Sequence, residues 1–359
     1  MLILTESDVS TILRTLTPQH ATLFLTALTN ALADFTKEKQ QQENATSSPP
    51  PPQIHQPQRT FITTLPARDT VLVMPVSNTT TATTVKTITL PSAGPVKGSI
   101  TVFAPDGELR GVINAAEVTA FRTALATMTV LTRWRHAPLR NLVVFGAGRQ
   151  VEWHVRLALK LLPEGSIRRV SVFNRGEKRL REMEKGVLTE LREAYPGVVF
   201  EAVAQEGAAQ AYGESVKSRL GEADAVFCCT PSREPLFTKK DLLGEGRGAE
   251  RPRFMSCIGS YKPEIQEIDT ETLRAAARVW VDAKEECLVE AGELIRAGMK
   301  PEDMTEVGEL FLQGADAKVE EEGLTLFKCV GFGLMDLVMG DKLLELAEQL
   351  GKGVKVEGF

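Results

Sequence analysis

Gly146, Ala147 and Gly148 follow the apolar run Leu142–Phe145 and precede a stretch whose apolar residues recur at helical spacing up to Leu162. The first glycine permits a tight turn. The second lets a backbone come close to a ligand, and the amides that open the following helix face negative charge. A turn of this kind is suited to a pyrophosphate. Gly146, Ala147, Gly148, Arg149 and Gln150 are therefore candidate binders of a dinucleotide cofactor, although Val151 stands where the usual fingerprint has its third glycine. One strand later, "VSVFNRGEKR" ends in Asn174-Arg175 and not in an acid. A carboxylate there would accept from a ribose 2′-hydroxyl and repel a 2′-phosphate, whereas a guanidinium pairs with phosphate. Asn174 and Arg175 thus point to NADP(H) in preference to NAD(H).

These residues need a scaffold, and 359 residues exceed what one compact core usually holds, so two domains are expected. Past Pro138 the short apolar runs "LVVFGAG", "RRVSVFN", "GVVFEAV", "ADAVFCCT", "RFMSCIG" and "RVWVDA" alternate with helical stretches. That pattern predicts an α/β Rossmann domain with a doubly wound parallel sheet over residues 136–321. Before it, helix is expected from Glu6 to Phe35 and from Ala115 to Arg133. Between them "RTFITTL", "TVLVMPV", "TTVKTITL", "GSITVFAP" and "ELRGVINA" predict an antiparallel sheet, with "PDGE" as a turn. An α+β domain over 1–135, completed by a returning strand and helix in 322–359, follows. The polar, Pro-rich residues 36–58 are expected to form a disordered loop.

The totals exclude several classes. Lys and Arg number 42 against 47 Asp and Glu, a formal charge of −5, which gives no reason to expect nucleic acid or an anionic membrane as partner. No apolar run approaches the roughly 18 residues that span a bilayer. "MLILTESDVSTIL" lacks a basic leader, so a cytoplasmic location is expected. The scattered Cys228, Cys229, Cys257, Cys287 and Cys329, and the histidines His20, His55, His136 and His154, show no metal-ligand spacing and no disulfide framework.

Several stretches, in order, resemble the ornithine cyclodeaminase/mu-crystallin family: "VMP" at Val73–Pro75, "EVTAFRTALAT" at Glu117–Thr127, "VFGAGRQ" at Val144–Gln150, "ADAVFCCTPSREPLF", "IGSYKPEIQEID", "VWVDAKEECLVEAGEL" and "TLFKCVGFGLMD". They run from Arg59 to Asp336. The resemblance implies a homodimer whose first domain holds substrate and pairs subunits, while the Rossmann domain holds a nicotinamide cofactor. It also implies that Arg59, Lys86 and Arg122 grip a substrate α-carboxylate and carry the catalysis. Two forked guanidiniums and one point charge suit that task. Taken singly, each has an ordinary reading: a surface arginine, a strand-edge lysine, a helix-face ion pair. Met74 and Tyr261 join the substrate side. Thr230, Pro231, Ser232 and Gly259 border the cofactor by the same resemblance, and Lys328, Val330 and Gly331 of "KCVG" lie near the nicotinamide. Asp336 stays open between a site role and a helix-capping or ion-pair role.

The chain departs from ornithine-cyclising members at two acidic positions, where it carries Leu72 and Tyr261. A distal ammonium would lack its counter-charge in a partly dry pocket. The residues are more similar to the mu-crystallin branch, which implies NADPH-dependent reduction of a carboxylated, cyclic ketimine or imino acid, or the reverse amino-acid dehydrogenation. Lys86 would then be a proton donor or only an anchor. An ornithine cyclodeaminase-type deaminating cyclase and a non-catalytic NADPH-binding protein are the alternatives.

Overall fold

The computed structural model describes residues 1–45, 50–91, 94–134, 136, 138–244, 251–314, 316–319 and 322–358. Packing divides the chain into Met1–Arg122 with Gly331–Phe359, and Thr123–Val330.

The first unit contains β1 (Leu2–Leu4), α1 (Glu6–Arg14), α2 (Pro18–Glu43), β2 (Ile54–His55), β3 (Thr60–Thr63), β4 (Thr70–Asn78), β5 (Ala82–Leu90), β6 (Lys97–Phe103) and β7 (Leu109–Asn114). The first part of α3 (Ala115–Leu131) also belongs to it. Its described strands form one sheet in the order Val354–Lys355, β1, β7, β6, β5, β4, β2, with β3 also on β4. Period-two alternation turns Leu72, Met74 and Val76 of β4 and Thr84, Lys86 and Ile88 of β5 inward. One lysine therefore sits on an otherwise uncharged inner face. The C-terminal helix Gly333–Gln349 packs over β4, β5, β6 and α2.

Two expectations are corrected here. The helix expected over Glu6–Phe35 breaks at Thr15–Thr17, where Thr17 caps α2 by accepting from the His20 N–H and Pro18 takes the first helical position. The disordered loop expected over 36–58 is mostly ordered. Lys, Glu and Gln are good helix formers and carry α2 on to Glu43. The Glu38 carboxylate then accepts the N–H groups of Gln53 and Ile54 at 2.9 and 3.0 Å, and Ile54–His55 pairs with β4. Residues 46–49 of that loop lie outside the described residues.

The second unit contains β8 (Asn141–Phe145), α4 (Arg149–Leu161), β9 (Arg169–Asn174), β10 (Val199–Ala204), β11 (Ala225–Cys228), β12 (Arg253–Cys257), β13 (Ala276–Val281), β14 (Thr305–Glu306) and β15 (Leu324–Lys328). These form a parallel sheet in the order β10, β9, β8, β11, β12, β15, β13, β14. Helices cover the sheet, so strands such as β8, β12 and β15 read as nearly unbroken apolar runs. The winding reverses between β8 and β11, the switch point at which open α/β sheets bind ligands, and Gly146 stands at the end of β8 there. The division between the units falls at 122/123 and 330/331, where 135/136 and 321/322 were expected. Thr123–Leu131 packs with the second unit, and β15 is hydrogen-bonded between β12 and β13. The five cysteines are free thiols. Among the described residues no helix is long and apolar enough to cross a membrane.

Candidate functional site

In the first unit the three cations implied by the resemblance converge. The fully buried Lys86 ammonium donates to both oxygens of Asp336, at 3.0 and 3.2 Å, from the first turn of the C-terminal helix. Arg122, 3% exposed, places its Nε 3.5 Å from the same carboxylate. That Nε makes no hydrogen bond among the described residues, and Nη1 donates only to the Met335 thioether at 3.5 Å. Arg59 donates through Nη1 to the Gly331 carbonyl at 3.2 Å. Gly331 has φ +77°, and a Cβ on it would overlap the Arg122 guanidinium. Only glycine lets Arg122 lie where it does.

Lys86 and Arg122 share one carboxylate, so the buried pair carries excess positive charge. Burying a cation without full pairing is costly, and an incoming anion would relieve that cost. Burial pulls the Lys86 pKa down to about 8; Asp336 opposes this, while Arg122 and Arg59 add to it. Met74 lies opposite Lys86 in the β4–β5 register, and Leu72, Met74 and Ile88 form an apolar cluster beside it. Asp336, left open in the sequence, is fully buried and ion-paired. Its place about one helical turn beyond "KCVG" was the available signal.

In the second unit the glycine turn joins β8 to α4. Gly146 has φ +118°, and a Cβ there would lie 3.0 Å from the Cys229 carbonyl and 3.2 Å from Val151 Cγ2. Gly148 is the N-cap of α4, with no side-chain cap and open space where its Cβ would be. Uncapped amides beside an open cradle fit a phosphate. The first turn is fixed from below by His154. Its Nδ1 donates to the Gln150 carbonyl at 2.7 Å, so its Nε2 accepts from the Thr127 hydroxyl, which is 2.8 Å from Ser256 Oγ. Burial lowers the His154 pKa to about 4, which keeps this link neutral.

A cavity of about 930 Å³ opens beside Phe145, lined by Asn174, Arg175, Lys178, Thr230, Pro231 and Ser232 among others. Glu206 also lines it and accepts the Glu177 N–H at 2.9 Å. The strand end at Asn174 carries no signal of this acid, which arrives from beyond the neighbouring strand, β10. Gly259 packs so closely on Thr230 that a Cβ would overlap the Thr230 carbonyl.

Lys328 is placed differently from expectation. Its fully buried ammonium donates to the Ser260 carbonyl and hydroxyl at 2.7 and 2.6 Å and pairs with Glu293 at 3.1 Å. The ammonium is thus spent inside the protein. Burial works against its charge, but Glu293 and Glu267 more than offset this and raise its pKa. Val330 donates its N–H to Asp282 at 3.3 Å, and Tyr261 is half-buried, with the Lys262 ammonium 5.9 Å from its ring centre. Arg149 is exposed beside Gly148. Among the described residues no group of His, Cys, Asp and Glu could hold a metal ion.

The chain is 29% identical over 289 residues to an uncharacterized protein of Saccharomyces cerevisiae, covering 70% of this chain and 74% of that one. It is 25% identical over 244 residues to a Delta(1)-pyrroline-2-carboxylate reductase of Colwellia psychrerythraea, covering 67% and 69%. Its fold matches the structure of Thermococcus litoralis Delta(1)-pyrroline-2-carboxylate reductase in complex with NADH and L-proline. That match has a TM-score of 0.79 at 19% identity, covering 99% of this chain and 100% of that one. Residues 20–349, both candidate clusters included, match the sequence model of one family. The chain belongs to the ornithine cyclodeaminase/mu-crystallin family.

Proposed function

We propose that the chain is a nicotinamide-dependent oxidoreductase that reduces the C=N bond of a small carboxylated imine, cyclic by preference, or runs the reverse amino-acid dehydrogenation. The observation that carries this reading is the buried Lys86–Asp336–Arg122 constellation, with its surplus of positive charge. Arg122 and Arg59 present forked donors to the substrate carboxylate, and Met74 and the half-buried Tyr261 offer it less polar surface. Lys86 donates the proton that the imine nitrogen gains. Gly146, Ala147, Gly148, Arg149 and Gln150 would hold the cofactor's pyrophosphate, and Thr230–Ser232, Gly259 and Val330 would border it. When bound, the reduced nicotinamide supplies the hydride. The Colwellia reductase and the Thermococcus structure with NADH and L-proline support this chemistry. Leu72, buried in an apolar cluster, speaks against a site that cyclises a diamino acid. We propose the homodimer as the working assembly.

The test is a panel of cyclic imino acids, 2-oxo acids with amines, and proline-like amino acids, followed at the nicotinamide absorbance band. Net oxidation of the reduced cofactor by carboxylated imines is expected. Ammonia release with no net absorbance change would replace the proposal with a deaminating cyclase. Tight cofactor binding without turnover would replace it with a non-catalytic binder.

The cofactor preference proposed is NADPH, carried by Arg175. Glu206 in the same cavity pulls toward NADH. Arg175→Ala is expected to weaken NADPH about tenfold and NADH little, the worth of one charge-assisted contact to phosphate. Glu206→Gln is expected to shift the ratio the other way. Fluorescence titration with both cofactors measures this, and equal wild-type affinities would remove the preference for NADPH.

A further inference from the structure

Glu267 belongs to neither cluster described above, yet it ties together the loops that follow β11 and β12. Its side chain is fully buried. Oε1 accepts the Thr230 N–H at 2.6 Å and the Thr230 hydroxyl at 3.3 Å, and Oε2 accepts the Gly259 N–H at 2.6 Å. Its own main chain adds a strap. The Glu267 carbonyl accepts the Leu236 N–H at 2.8 Å, and the Gln266 N–H donates to the Ser232 carbonyl at 2.8 Å. Gly259 is required by this arrangement, since a Cβ there would lie 2.6 Å from Glu267 Oε1. Thr230 and Ser232 are cavity-lining residues, so one carboxylate sets where that wall stands.

A carboxylate in such a place is poised between states. Burial raises its pKa to about 7; Lys328 and the Thr230 and Gly259 amides hold it down, and Glu293 pushes it up. The thiols of Cys228, Cys229 and Cys257 are further titratable groups around it. Their pKa values are raised, so they stay protonated near neutrality, while Lys328 stays charged.

We infer that Glu267 is a positioning residue whose ionised carboxylate fixes the loops beginning at Cys229 and Ile258 in the form that accepts the dinucleotide. The inference rests on the nicotinamide reading proposed above. An ionised carboxylate is acceptor-only and serves all three donors at once. A carboxylic acid or an amide turns part of that group into a donor facing an N–H, and the clamp loosens. Dinucleotide affinity is therefore highest with Glu267 ionised and falls as pH drops through its pKa.

The experiment is NADH binding, followed by cofactor fluorescence between pH 6 and pH 8.5, on the wild type and on Glu267→Gln. NADH is the probe because it lacks the 2′-phosphate, whose own second ionisation near pH 6 would overlap the window. The wild-type Kd is expected to rise about threefold to tenfold from pH 8 to pH 6, the worth of one hydrogen bond. Glu267→Gln is expected to show the weaker affinity at every pH, with a flat profile. A flat wild-type profile, or a variant that keeps the wild-type affinity and pH dependence, overturns the inference. Should the variant fail to fold, the wild-type profile alone decides. A wild type that binds neither NADH nor NADPH at any pH overturns the nicotinamide reading itself, and this inference with it.

Discussion

Arg122→Ala is expected to lower kcat/KM for a carboxylated imine by about a thousandfold, within the range for truncating one partner of a buried, hydrogen-bonded charge pair. The guanidinium is held by packing against Gly331 and Met335, and its Nε has no hydrogen bond among the described residues. Its donors are thus already desolvated and aimed before an anion arrives, the condition under which positioning contributes most. Arg122→Lys keeps the charge but loses the fork, so it should recover only part of the rate. Cofactor affinity, which the proposal assigns to residues of the second unit, should stay near the wild-type value. Steady-state kinetics with a parallel cofactor titration measures both, and full turnover by Arg122→Ala would reject the carboxylate assignment.

Lys86 gives the second large effect. With its pKa lowered to about 8, the ammonium is charged below that pH and increasingly neutral above it. A proton donor must hold its proton, so kcat for imine reduction should fall as pH rises through about 8. Lys86→Met should lower kcat by about a hundredfold to ten-thousandfold, the usual worth of general acid catalysis, and abolish that limb of the profile. If Lys86 only anchors the carboxylate, the same variant raises KM and leaves the pH dependence of kcat unchanged. Asp336 would lose its ammonium partner in Lys86→Met, so a melting curve belongs with the kinetics.

What could be read in advance follows from the range of the interactions. The glycine turn, the apolar strand runs and the alternation of β4 and β5 are local, and each showed in a window of a few residues. The partner of Lys86 is 250 residues away, and Lys328 meets Ser260 at a separation of 68, so their fates depend on tertiary neighbours that no local window contains. Composition marked 36–58 as a loop, but Glu38 on α2 captures the backbone at Gln53 and Ile54. Glu267 carried no signal of its own in "PEIQEID"; its role exists only where two loops meet. The resemblance supplied Arg59, Lys86 and Arg122, whose types and spacing alone would have left each as an ordinary surface or structural charge.

The insertion of β15 between β12 and β13 bears on how the polypeptide is made. As the ribosome releases the chain from its N-terminus, β12 and β13 emerge long before Leu324–Lys328, the segment that joins them. Until that late arrival each strand presents a bare rim to any other nascent chain, the condition that invites aggregation. The parallel sheet of the second unit is therefore completed only after Leu324–Lys328 has emerged.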